Sequence, residues 1–107
     1  MVATGTSTKL QEIDIEEARR KLMAYEGLDN ITRLRAFFVI RDNPGITFNE
    51  IAKAVKAGRA LVAYHLGVLK VGGLVTFTYA RKGKATSSYN LTESGKKVAK
   101  ELAAAVR

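Results

Sequence analysis

Lys56, Arg59, Lys70, Arg81, Lys82 and Lys84 put six cations between positions 56 and 84, with the hydrogen-bonding rings of Tyr64 and His65 among them and no Asp or Glu before Glu93. Residues 1–55 hold eight Lys/Arg against eight Asp/Glu, so the net charge of +8 belongs to residues 56–107, where ten basic side chains face only Glu93 and Glu101. A one-sided basic half is the electrostatic footprint of a protein that meets phosphates. A coat of charge serving solubility alone would not leave the other half neutral. Enzymatic chemistry has no comparable foothold. There is no cysteine, one histidine and no glycine-rich phosphate loop, whereas metal coordination and nucleophile–base pairs need companions. Ser87 and Ser88 read as strand residues rather than nucleophiles. The expectation is therefore no catalytic residue, no metal site, no cofactor and no enzyme.

The element that must position these cations runs from Thr47 to Gly73. Ile51 and Val55, then Val62, Leu66 and Leu69, recur at steps of three or four, so each group buries one stripe of a helix. Thr47 and Glu50 make a capping box at the first helix start. Lys56-Ala57-Gly58 leaves room only for a tight corner, and Gly72-Gly73 closes the second helix. Two short helices at such a corner are a helix-turn-helix. On a wheel with Val62, Leu66 and Leu69 inward, Ala60, Tyr64, Gly67 and Val71 point outward, with Leu61 and Ala63 at the margins and His65 at the edge of the buried stripe.

Residues 50–75, EIAKAVKAGRALVAYHLGVLKVGGLV, resemble the recognition segment of ArsR/MarR-like winged-helix transcriptional regulators. The shared features are Ala52, Tyr64-His65-Leu66 and Gly73-Leu74-Val75. DNITRLR at 29–35 is similar to the family's opening helix, and YNLTESG at 89–95 to its junction between wing and last helix. The resemblance covers about Asp29 to Gly95. It implies a fold that is α+β and mostly α: a winged helix-turn-helix with a three-helix core and a β-hairpin wing, plus extra N- and C-terminal helices. It also implies double-stranded DNA as partner, with the second helix of the motif in the major groove. The sequence departs from the family pattern at the corner, where Lys56 replaces glycine, and at Gly58, Leu61 and Ala63, where polar residues are usual. Those departures imply thin direct reading of base edges and binding led by phosphate contacts and DNA shape.

The expected organisation is a loose tail over residues 1–13 and a single domain over 14–107, with helix-turn-helix 47–73, wing 74–91 and C-terminal helix 92–107. Asp14 caps a first helix carrying Ile15, Ala18, Leu22 and Tyr25 at helical spacing. Asp29 caps the next, which Asn43-Pro44-Gly45 ends, and Ile46 fits a short strand. Val75, Phe77 and Tyr79 alternate with Thr76 and Thr78 in a half-buried strand. Arg81 to Lys84 turn at Gly83, and Ala85 to Leu91 return. Thr92 caps a last helix with a seam of Leu91, Gly95, Val98, Leu102 and Ala105.

These readings assign Lys56, Arg59, Ala60, Leu61, Ala63, Tyr64, His65, Gly67, Lys70, Arg81, Lys82 and Lys84 to DNA, His65 having packing as its other open role. They assign Ile15, Ala18, Leu22, Tyr25, Val98, Leu102 and Ala105 to a homodimer contact, the alternative being that the seam of the last helix packs on its own domain. With 47% hydrophobic and 26% charged residues, and no apolar run near the ~20 residues that span a bilayer, a cytoplasmic, nucleoid-associated protein with no membrane partner is expected. Two other readings stay open. The apolar strip Ala60, Leu61, Ala63, Gly67 and Val71 would suit a protein partner, and a non-specific architectural DNA binder would share the same charge.

Overall fold

A computed structural model describes residues 14–80 and 86–106. Five helices and a hairpin follow in the order α1 (Ile15–Gly27), α2 (Ile31–Asp42), α3 (Phe48–Val55), α4 (Arg59–Val71), β1 (Val75–Ala80), β2 (Thr86–Leu91) and α5 (Glu93–Ala105). Phe37, Ile40, Ile51, Val62, Leu69 and Leu74 are the fully buried side chains at the centre. They come from α2, α3, α4 and the start of the wing, so the helix-turn-helix and α2 form one three-helix core.

Local chemistry sets the helix ends. Asp14 Oδ1 accepts the Glu17 amide at 3.2 Å. The cap of α2 is Asn30 rather than Asp29. Asn30 has the extended backbone of a cap and accepts the Arg33 amide at 3.0 Å, while the Asp29 amide donates to Glu26 O and closes the end of α1. At α3 both halves of the capping box form: Thr47 Oγ1 accepts from Glu50 N at 3.2 Å and Glu50 Oε1 from Thr47 N at 3.1 Å. The corner then turns through Lys56, which adopts the left-handed conformation at φ 55°, ψ 48°. A β-carbon there costs roughly 1–2 kcal/mol, the reason glycine is usual at such corners.

The two strands pair antiparallel from Val75 opposite Leu91 to Ala80 opposite Thr86. The strand expected at Ile46 is a single antiparallel bridge to Tyr89. The wing is rooted at its base by the junction with α5. Thr92 N donates to Leu74 O at 3.0 Å, Thr92 Oγ1 donates to Gly73 O at 2.6 Å, and the same hydroxyl caps α5 by accepting from Gly95 N at 2.9 Å. Gly95 has to be glycine here, because a β-carbon would collide with the Leu74 carbonyl.

The terminal helices depart from the stripes read off the sequence. At the end of α1 the residues that dock on the core are Ala24 and, just past the helix, its C-cap Leu28; Ile15, Ala18 and Leu22 face solvent, and Tyr25 is half-buried with its hydroxyl donating to the Glu101 carboxylate of α5. In α5 the seam divides: Gly95 and Val98 pack on the chain's own core, Leu102 is half-buried and Ala105 exposed. Val98, at 2% exposure, has no face left for a partner, a correction to its place in the expected dimer contact. Gly83 and the turn it was expected to form lie outside the described residues.

Candidate nucleic-acid interface

The two sides of α4 differ sharply. Val62, Leu66 and Leu69 are buried, whereas Ala60, Leu61, Ala63, Tyr64, Gly67 and Val71 are exposed, Tyr64 at 60% and Val71 at 90%. The wheel of the sequence reading is therefore the arrangement in space. Apart from Tyr64, this outer face carries no hydrogen-bonding side chain between Ala60 and Leu69; it is small and apolar, shaped for close approach.

Cations border it. Lys56 is exposed at the corner. Arg59 opens α4 with its guanidinium 4.9 Å from the Phe48 ring and a hydrogen bond to Asn49 Oδ1, so α3 holds it at the rim rather than leaving it free. Lys70, near the other end of the helix, lies 5.2 Å from the centre of the Phe77 ring on β1, and a cation over an aromatic face is attracted by the ring quadrupole. Phe77 and Tyr79 continue from there along the wing, their rings 6.3 Å apart and both open to solvent. Neither aromatic, nor Phe48 or Asn49, was picked out for the site from the sequence, although the strand alternation placed Phe77 and Tyr79 on one face. Arg81, Lys82 and Lys84 lie outside the described residues.

His65 does not belong to this surface. It is 3% exposed, and its Nδ1 accepts a hydrogen bond of 3.1 Å from Arg33 Nε. Burial, and secondarily the Arg33 charge, hold its pKa below the usual histidine range. The reason for its seclusion is a residue 32 positions away. Arg33 falls in register with Phe37 and Ile40, on the buried stripe of α2, and a cation there must find partners. It finds His65, the Gly27 carbonyl, to which Nη1 donates at 2.6 Å, and the Tyr64 ring, 5.5 Å from the guanidinium carbon. The signal was present in the sequence as an arginine at a core position of the helix.

Among the described residues no group of three or more His, Cys, Asp or Glu could hold a metal ion, and no helix is long and apolar enough to cross a membrane.

Residues 29–76 match a family model described as winged helix-turn-helix DNA-binding. Solved structures share the fold over most of the chain. The transcriptional regulator HlyU from Vibrio vulnificus is similar at 23% identity and a TM-score of 0.70, over 90% of this chain and 96% of that one. A transcriptional regulator homologue from Pyrococcus horikoshii is similar at 21% identity and a TM-score of 0.71, over 84% and 90%. The homodimeric winged helix-turn-helix DNA-binding domain from Mycobacterium bovis, a possible ArsR-family transcriptional regulator, is similar at 20% identity and a TM-score of 0.69, over 89% and 87%. No curated protein matches the chain. The comparisons bear out the winged-helix fold expected from residues 50–75.

Proposed function

We propose that this chain is a double-stranded DNA-binding transcriptional regulator that works as a homodimer in the nucleoid. The observation that carries the reading is the open outer face of α4 set within the basic half of the chain. A helix buried on one side and exposed on the other, with Lys56, Arg59 and Lys70 at its rim, fits a major groove bordered by phosphates. Ala60, Leu61, Ala63, Gly67 and Val71 offer close approach and contact with thymine methyls, and Tyr64 one hydrogen-bonding group. Arg81, Lys82 and Lys84 at the wing would meet phosphates or the adjoining minor groove. In a two-fold dimer the half-sites would lie about one turn of DNA, ~34 Å, apart. Ile15, Ala18, Leu22, Tyr25, Leu102 and Ala105 are the proposed dimer residues; His65 and Val98 are not part of either surface. The known homodimer among the similar structures supports the same assembly.

The test is a mobility shift on random and genomic duplexes at several salt concentrations. Arg81→Ala and Lys82→Ala should each weaken binding to every sequence and flatten the salt slope by about one charge. With so few hydrogen-bonding groups on α4, the preference for the best site should be on the order of 10³, the low end of the usual range. The exposed Leu61 and Val71 favour one rival, a protein-interaction module; it wins if the chain fails to bind duplex DNA at low salt.

A further inference from the structure

We infer that Arg33 is a positioning residue for the DNA-reading face: through its contacts with Tyr64 and with neutral His65 it holds the Tyr64 ring in the orientation that meets DNA. The inference rests on the reading of α4 given above and extends it to a residue on another helix that touches no DNA.

One guanidinium joins three places. Nη1 is fixed to the carbonyl of Gly27, the last residue of α1. Nε is fixed to His65 Nδ1. Its guanidinium carbon lies over the Tyr64 ring, 5.5 Å from the ring centre. Tyr64 and His65 are neighbours in sequence, one facing out and one facing in, with rings 5.3 Å apart and tilted by 57°. Arg33 and His65 therefore make the floor on which the exposed tyrosine rests. Tyr64 is the one long hydrogen-bonding side chain on the outer face of α4. An exposed tyrosine free to change rotamer gives up that freedom on binding, and one already packed on a cation does not.

The arrangement requires a lone pair on His65 Nδ1, so the imidazole is neutral with its proton on Nε2. A second proton would turn the acceptor into a donor and set an imidazolium against a guanidinium. Facing the imidazole are Arg33 from α2, which bonds it and whose charge acts on it, and Tyr64 of its own helix. Acid therefore releases Tyr64 from below, and duplex binding weakens as pH falls through the His65 titration.

The experiment measures the affinity of the full chain for a labelled random-sequence DNA duplex by anisotropy, across pH, for wild type, Arg33→Met, Tyr64→Leu, the double variant and His65→Asn. Arg33→Met and Tyr64→Leu should each weaken binding roughly two- to tenfold, the range for ordering one side chain, and the double variant should be no weaker than the weaker single. His65→Asn, whose Oδ1 can accept the same bond without titrating, should bind like wild type at neutral pH and lose the acid dependence of binding. Nitrogen shifts of His65 in the free protein should report Nδ1 unprotonated and Nε2 protonated, and circular dichroism confirms that each variant is folded. Additive losses in the double variant, or equal acid dependence in wild type and His65→Asn, overturn the inference while leaving the DNA reading intact. A wild-type chain that binds no duplex at any salt overturns both.

Discussion

Helices α1 and α4 are each 13 residues long and each carries an apolar stripe, yet the stripes meet different fates. That of α4 is consumed inside the subunit, leaving the opposite side free for a ligand. That of α1 is largely unspent: Ile15 is 63% and Leu22 59% exposed, with Met23 beside them, and only Ala24 and Leu28 at the far end are buried. Periodicity alone states that a stripe exists. What covers it depends on whether the chain brings a second surface to it, and α2, α3 and the wing do so for α4 but not for α1.

Four substitutions sharpen or break that contrast. Leu69→Ala removes a fully buried side chain from the inner face of α4 and should lower unfolding free energy by ~2–5 kcal/mol in a denaturant titration. A change under 1 kcal/mol would mean that the stripe of α4 is not the core. Leu22→Lys on α1 should leave the folded subunit nearly as stable but raise the dimer dissociation constant at least about tenfold, since burying such a side chain is worth ~1.5–3 kcal/mol. Sedimentation reads this directly, and an unchanged dimer would detach the stripe of α1 from assembly. At the corner, Lys56→Gly should stabilise the chain by ~0.5–1 kcal/mol, the relief of a left-handed lysine less the greater unfolded freedom of glycine, while removing one charge from the salt slope. The smallest effect concerns His65. Folding lowers its pKa from the usual 6.5, so between that value and the lower folded one the unfolded chain takes up a proton that the folded chain resists. Its contribution is complete above about pH 6.5 and declines as the pH drops through that window. Thermal unfolding of His65→Asn should lack that decline.

The sequence carried most of the fold because its signals were local. The Thr47–Glu50 box and the Gly72-Gly73 stop each act within a few residues and are found as read, and the strand read from Val75, Phe77 and Tyr79 forms, but only Val75 of the three is buried. The failures have two physical causes. Adjacent cap formers compete, and Asn30 takes the role expected of Asp29 because Asp29 already closes the preceding turn. Long-range partners are invisible to a wheel: His65 sits at a stripe edge that Arg33 seals, and Val98 belongs to a seam whose inner part the core absorbs. The outer face of α4 was legible in full; its supporting floor was not, since a lone arginine among apolar positions reads as an interruption until its acceptors are known.

Gly95 couples one end of the molecule to the other. With a methyl excluded at that point, the first turn of α5 sits flush on the Leu74 carbonyl, and Thr92 bolts the same spot to Gly73. Hairpin base and terminal helix thus move as a single lever. In a homodimer joined through the outer part of α5, the angle at which two subunits meet would dictate the bearing of both wings, and with it the spacing of DNA that the pair can straddle.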